Sequence, residues 1–343
     1  MAEIKPYYDV YDLKSFSIAT LHVDSESLKG NPLGDPHLRK NPMLLPRGDR
    51  PKHGWPVVFV LSGFAGNGTK AFNEKGFEQN YPQEIDELAS RGKAPLAVYV
   101  FVDAWTKWGG SQFINSAAIG KYEDYIACDL VAGVKDFVEA SERPEDWAVI
   151  GGSSGGYGAL HLGSRYPKVF GRVAAIAPDS FFEASLLPNV YKALPFIHKM
   201  GGLQEVKKSL EEGKLLNSRS GFSILNAIAM CRCYLPADNK EGFEFPVDID
   251  TGVRIEERWQ RLKAQDPVVF LNERKDKVEQ LASVYIDVGL FDQYNLQFGG
   301  RQIRQAIRPM GVELTYTEFE GSHSDLSERR PQMLDWLDKQ LSS

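Results

Sequence analysis

Asp146-Trp-Ala-Val-Ile-Gly-Gly-Ser-Ser-Gly-Gly-Tyr-Gly-Ala-Leu160 passes from an apolar segment, through glycines and two serines, into small residues suited to a helix. This order is the pattern of a strand-to-helix elbow, a sharp turn that lifts a serine hydroxyl clear of a sheet. Glycine is needed two positions either side of the serine, where a side chain would collide with the neighbouring strand or helix. Two registers overlap here: Gly151, Ser153 and Gly155, or Gly152, Ser154 and Gly156. Spacing alone does not choose between them. Strand phasing favours Ser153, because Ile150 is the last apolar residue and Ser154 would need a longer turn. A phosphate-binding or merely flexible glycine loop is the competing reading. It lacks the P-loop lysine and the G-x-G-x-x-G spacing of a dinucleotide site.

Around this stretch, further apolar runs span Val57–Leu61, Leu96–Val102, Val173–Ala177 and Val284–Val288, with an alternating run at Glu313–Phe319. Together with Ala148–Ile150 they suit strands of a parallel sheet, most of them buried on both faces. Helical patterns lie between, the clearest at Tyr122–Ala140, where Ile126, Leu130, Val134, Phe137 and Val138 form a stripe for packing on a sheet. With a terminal helix at Gln332–Leu341, the alternation predicts a doubly wound, mostly parallel α/β domain that binds ligands at the carboxyl ends of its strands. Residues 1–50 read as edge strands and loops. Residues 181–274, with short helical patches at Leu203–Glu212 and Ile255–Ala264 and the turn-rich Pro236–Gly252, read as a cap-like insertion within one domain spanning 1–343.

Composition narrows the function classes. The chain has 343 residues, 40 basic against 46 acidic, and a formal charge of −6, which leaves no basic excess to hold nucleic acid. No secretory pattern opens the sequence and no stretch offers a membrane span, so a soluble, cytoplasmic protein with no membrane partner is expected. Cys128, Cys231 and Cys233 cannot form a disulfide framework, and a single C-x-C pair lacks the second pair of a zinc site.

A serine hydroxyl becomes nucleophilic when a histidine takes its proton and a carboxylate orients that histidine, in the chain order serine, acid, histidine for this fold. After Ser153 the histidines are His161, His198 and His323. His161 falls inside the helix that follows the elbow and His198 inside the insertion. His323 follows the last strand, in the loop Glu320–Ser324, and is the expected base. For the acid, Asp287 lies within its strand, whereas Asp292 lies just past Gly289 in a loop able to reach His323, and is preferred. Asp325 and Glu328 read as solvated. Backbone N–H groups of Ser154 and of Phe64, in the loop Leu61–Gly66, are the expected oxyanion donors, although that loop could be an ordinary turn.

At this point the residues resemble the putative-esterase family of α/β-hydrolases, which includes esterase D, feruloyl esterases and mycolyltransferases. The resemblance runs from about Pro56 to Ser324 and rests on VVFVLSGFAGN, GGSQFINSAAIGKYEDYIACDLV, GGSSGGYGALHLGSRYPKVFGRVAAIAP, IDVGLFDQYNLQFGG and the FEGSHS loop. Against the family's G-x-S-M-G-G segment the serine falls on Ser153, with Ser154 in the methionine position. The acid and base segments map onto Asp292 and His323. The interval from nucleophile to acid is longer than in compact relatives, consistent with the insertion. The resemblance implies a carboxylic-ester hydrolase working through an acyl-enzyme on a small-molecule ester, without metal or organic cofactor. Trp105, Trp108, Gln112, Phe113 and Asn115 are candidate substrate contacts. Acyl transfer by the same triad, or a non-catalytic binding protein on this fold, are the alternatives.

Overall fold

A computed structural model describes residues 12–74, 76–218 and 220–342. Residues 1–11, part of the expected N-terminal edge region, lie outside the described residues. The central sheet has eight strands: β1 (Phe16–Asp24), β2 (Leu38–Pro46), β3 (Val57–Leu61), β4 (Val98–Phe101), β5 (Trp147–Gly152), β6 (Arg172–Ile176), β7 (Ser283–Gly289) and β8 (Glu313–Phe319). Their order is β1-β2-β4-β3-β5-β6-β7-β8. β1 and β2 form an antiparallel edge hairpin, β2 runs antiparallel to β4, and every pairing from β4 through β8 is parallel.

The continuous apolar runs have a direct cause. Val57, Phe59 and Leu61 of β3 face one core layer while Val58 and Val60 face the other. A strand sandwiched between two helical layers needs apolar residues at both phases of its pleat. One layer contains Ile85 of α1 (Tyr81–Ser90) and Met333, Leu334 and Leu337 of the C-terminal helix Arg330–Leu341. The other contains Tyr157, Leu160 and Leu162 of α2 (Ser154–Arg165) and the stripe Ile126, Leu130 and Val134. This is the α/β-hydrolase fold.

Two expected boundaries move. The helix predicted over 122–140 is Tyr122–Asp124, a π-helical stretch at Tyr125–Leu130, then Val131–Phe137. It stops because Val138 turns extended and the chain leaves to bridge Trp55, whose N–H donates to Glu139 O at 2.8 Å. Phe137 is therefore 77 % exposed instead of completing the stripe. The run 96–102 contributes only Val98–Phe101, with Leu96 exposed before it.

Between β6 and β7 the insertion forms α3 (Leu186–Lys199), α4 (Leu203–Glu211), α5 (Gly221–Tyr234), α6 (Glu256–Lys263) and α7 (Pro267–Glu273). Its start is pinned by buried Asp266, which accepts from Phe181 N–H at 2.9 Å and Phe182 N–H at 2.5 Å while capping α7 at Val268 N–H. Burial pushes that carboxyl up to about 6, against the three backbone donors.

Candidate active site

Register brings the strand ends level. Ile176 of β6 pairs with Gly152 of β5 and with Asp287 of β7, and Gly289 pairs with Phe319. The four loops leaving these strands therefore meet at one edge, and they carry Ser153, Asp179, Asp292 and His323.

Ser153 occupies the elbow with φ 57° and ψ −124°, a conformation that side-chain-bearing residues rarely hold. Its N–H donates to Ile176 O at 3.0 Å, and its carbonyl accepts from Tyr157 N–H at 2.9 Å, so the turn is braced by β6 on one side and α2 on the other. Steric demand separates the two serine registers. A Cβ on Gly151 would stand 2.5 Å from Gly155 C, and one on Gly155 would stand 2.3 Å from Leu61 O. At Gly152 the nearest atom is Ile176 O at 3.5 Å, and at Gly156 it is Pro178 Cα at 3.1 Å. The glycines that the turn cannot replace are those two positions either side of Ser153.

His323 Nε2 lies 2.9 Å from Ser153 Oγ, and its Nδ1 lies 2.8 Å from Asp292 Oδ2. Asp292 is buried, and its second oxygen accepts from Tyr294 N–H at 2.8 Å. The Tyr294 ring meets the His323 ring edge to face at 4.9 Å. His323 N–H donates to Gln293 Oε1 at 3.1 Å, and Asp325, expected to be solvated, caps the following turn through Ser322 N–H and Oγ. Such a chain can move a proton from the serine to the imidazole while the carboxylate fixes the tautomer.

The other titratable residues of the sequence reading are engaged elsewhere. His161 is buried on α2 with Nε2 2.8 Å from Glu123 Oε2 and stacks on Tyr157. His198 Nε2 lies 2.6 Å from Ile249 O. Asp287 bonds Arg329 Nε at 2.7 Å and Thr317 Oγ1 at 2.7 Å, holding down the short helix that begins with His323.

A cavity of about 180 Å³ opens on Ser153 and His323. Phe64 and Ser154 line it, and the backbone at Gly63 approaches Ser153, a Cβ there standing 3.8 Å from Ser153 Cβ. The expected contacts Trp105, Trp108, Gln112, Phe113 and Asn115 do not line this cavity. Trp105 O accepts from Arg39, Trp108 is buried beneath the Arg232 guanidinium, Phe113 packs where Gly158 leaves room, and Asn115 bonds Asp124. Gln112 reaches the cavity through one neighbour, donating from Nε2 to Ser154 Oγ at 3.1 Å. The walls come instead from the insertion: Phe182, Leu186, Phe222, Met230 and Tyr234.

Sequence reasoning missed Asp179. Its Oδ2 accepts from Ser154 Oγ at 2.6 Å and its Oδ1 lies 3.1 Å from Ser153 Oγ. The available signal was its place, just past the end of β6 and next to the elbow strand. Burial raises this carboxyl above the usual carboxylate range, against the bonds from Ser154 and Ser153 and the nearby His323 ring.

Among the described residues no group of acidic, histidine and cysteine side chains is arranged to hold a metal ion, and no helix is long and apolar enough to cross a membrane. Comparison of the whole chain gives a consistent placement. A ferulic acid esterase superposes with a TM-score of 0.59 at 16% identity, covering 95% of this chain and 99% of that one. An S-formylglutathione hydrolase from Agrobacterium tumefaciens gives 0.54 at 17% identity over 95% and 96%. Mycobacterium tuberculosis MPT51 (FbpC1) gives 0.55 at 14% identity over 94% and 98%. No curated protein matches the sequence. The family model described as "Putative esterase" matches residues 38–327, so the chain belongs to that family and is a serine ester hydrolase of the α/β-hydrolase fold.

Proposed function

We propose that Ser153, His323 and Asp292 form a catalytic triad that cleaves a carboxylic ester through an acyl-enzyme. The observation that carries this reading is the unbroken chain from Ser153 Oγ to His323 at 2.9 Å and on to Asp292 at 2.8 Å, mounted on a strained elbow. Ser153 Oγ attacks the ester carbonyl carbon as its proton passes to His323 Nε2. Asp292 accepts from Nδ1–H, which keeps Nε2 as the basic nitrogen and stabilises the imidazolium that forms. The oxyanion then meets the N–H groups of Phe64 and Ser154, each such donor contributing about 3 kcal/mol in comparable sites. His323 next protonates the departing alkoxide. Water repeats the sequence on the acyl-enzyme, releasing the carboxylic acid and free Ser153.

In this reading the whole chain works as one domain. Residues 181–274 are the cap, which supplies most of the apolar wall beside the nucleophile, and the substrate is a small-molecule ester. The test is labelling with a fluorophosphonate. Wild-type protein and Ser154→Ala react, while Ser153→Ala does not; labelling that survives Ser153→Ala and disappears in Ser154→Ala would move the nucleophile to the other register.

A further inference from the structure

Asp179 has no part in the proton transfers just described, yet its carboxylate stands beside the nucleophile. Its hydrogen bonds have a direction. Tyr234 Oη donates to Gln112 Oε1 at 3.3 Å, Gln112 Nε2 donates to Ser154 Oγ at 3.1 Å, and Ser154 Oγ donates to Asp179 Oδ2 at 2.6 Å. Every donor in this relay points toward Asp179, an arrangement that suits an ionised carboxylate as its terminus. The other oxygen faces Ser153 Oγ, whose single proton also has His323 Nε2 as an acceptor. Once that proton moves to His323, Oδ1 is left turned toward the reacting centre without a donor.

The imidazolium formed at His323 in that step is already hydrogen-bonded to Asp292, so a carboxylate that faces mostly apolar walls still favours a cation of its own. Among the described residues no lysine or arginine lines this cavity, and none forms an ion pair with Asp179. The remaining lining offers neutral groups and aromatic faces, including Phe182, Tyr234 and Tyr294, which also favour a cation. Position then limits where the charge sits on the substrate. Asp179 Oδ1 is only 3.1 Å from Ser153 Oγ, so once the carbonyl carbon is bonded to that Oγ, a group on the adjacent carbon can turn to within hydrogen-bond reach of it.

We propose that the substrate's acyl group carries an ammonium on the carbon next to the scissile carbonyl, held by Asp179, so that the enzyme acts on esters of α-amino acids. The proposal rests on Ser153 as the nucleophile. Ser153 Oγ bonds to the carbonyl carbon and the bond to the alcohol oxygen breaks, with the serine proton passing through His323 to the departing alkoxide. Water then regenerates Ser153, so the amino acid and the alcohol are the products. The ammonium stays paired with Asp179 throughout.

The test compares 4-nitrophenyl esters of alanine and of 2-methylpropanoic acid, in which a methyl group replaces the ammonium, at pH near 6, about two units below an ordinary α-amino pKa. Wild-type enzyme is expected to favour the amino ester by about tenfold or more in kcat/KM, and Asp179→Asn to bring that ratio toward unity. A ratio that Asp179→Asn leaves unchanged overturns the proposal, whichever way the absolute rates move. Should the variant not fold, alaninamide and 2-methylpropanamide are compared as inhibitors of neutral-ester hydrolysis by wild-type enzyme. Stronger inhibition by the cation supports the site, and equal inhibition removes it. Ser153→Ala is run alongside. Turnover of both esters by that variant defeats the nucleophile assignment, a result distinct from a failed Asp179 preference.

Discussion

Six non-glycine residues among those described hold a positive φ: Gln112, Phe113, Ser153, Ala177, Phe181 and Asn295. Ser153 is the elbow itself, and Gln112 bonds its neighbour Ser154. Ala177 and Phe181 bracket the loop that bears Asp179, and Asn295 stands between the cavity residues Tyr294 and Leu296. Strain of this kind persists only where surrounding contacts over-determine the backbone, and here it gathers at one edge of the sheet. The glycines make the point testable one position at a time. Gly155→Ala puts a methyl 2.3 Å from Leu61 O, so β3 and the start of α2 must separate, and a loss of about 3 kcal/mol with loss of esterase activity is expected. Gly152→Ala meets Ile176 O at 3.5 Å and Leu326 Cδ1 at 3.7 Å, both ordinary contacts, and should cost less than about 1 kcal/mol. Urea unfolding of the two variants gives the order, and the reverse order would argue against the steric account of the elbow.

At the scale of elements, strands and the helices flanking the elbow were legible because burial on both faces writes an unbroken apolar run, as in Val57–Leu61 and Val284–Val288. The helices α3 and α5 of the insertion were not read. α5 is apolar on nearly every side, with Ile224, Ala227, Ile228 and Met230 all buried, and therefore carries little periodicity to detect. A second limit appears at Glu123, which ties the helix beginning at Tyr122 to α2 through His161, Arg165 and Tyr166. All three partners lie 38 to 43 positions away, too far for local pattern to pair. Burial alone would raise the Glu123 pKa, but the bonds from His161 and Tyr166 and the Arg165 charge prevail and bring it down to about 2 from 4.5. A folded-state pKa below the unfolded value adds stability above the unfolded value and loses it as pH falls through the folded one. Stability should therefore decline between about pH 4.5 and 2 as Glu123 takes up its proton. Glu123→Gln is expected to cost about 3 kcal/mol at neutral pH and to flatten that decline. Denaturant titrations of both proteins across this window check it, and parallel pH profiles would place the acid sensitivity elsewhere.

For the whole molecule, the site is a junction between two kinds of information. The proposed triad sits where β5, β7 and β8 end, and each of Ser153, Asp292 and His323 follows its strand by a few residues, which is why strand reading reached them. The cavity wall comes from the insertion, chiefly from α3 and α5, whose approach to the nucleophile depends on contacts such as Asp266 with residues 181 and 182, 84 to 85 positions apart. Trp105, Trp108, Gln112, Phe113 and Asn115 were expected as substrate contacts because aromatic walls suit acyl or alcohol groups, but the lining of the cavity at Ser153 comes largely from the insertion. At the cavity mouth Phe222 of α5 meets Phe64 edge to face at 5.7 Å, so the insertion also touches the proposed oxyanion loop. If this wall sets the room for the acyl group, enlarging a residue on it should shorten the accepted chain without disturbing the proton relay. Met230 is suited to this because it lines the cavity, is 5% exposed and makes no polar contact needed by Ser153, His323 or Asp292. Met230→Trp should lower kcat/KM for a 4-nitrophenyl hexanoate by about tenfold while leaving the acetate within about threefold, at an overpacking cost of about 1–3 kcal/mol. Acyl-chain profiles of the two proteins decide the matter. An equal fall on both esters would mean that the substitution disturbs the reacting centre, and an unchanged profile would place the acyl group on the larger groove beside Ser62, Lys70 and Arg330 instead.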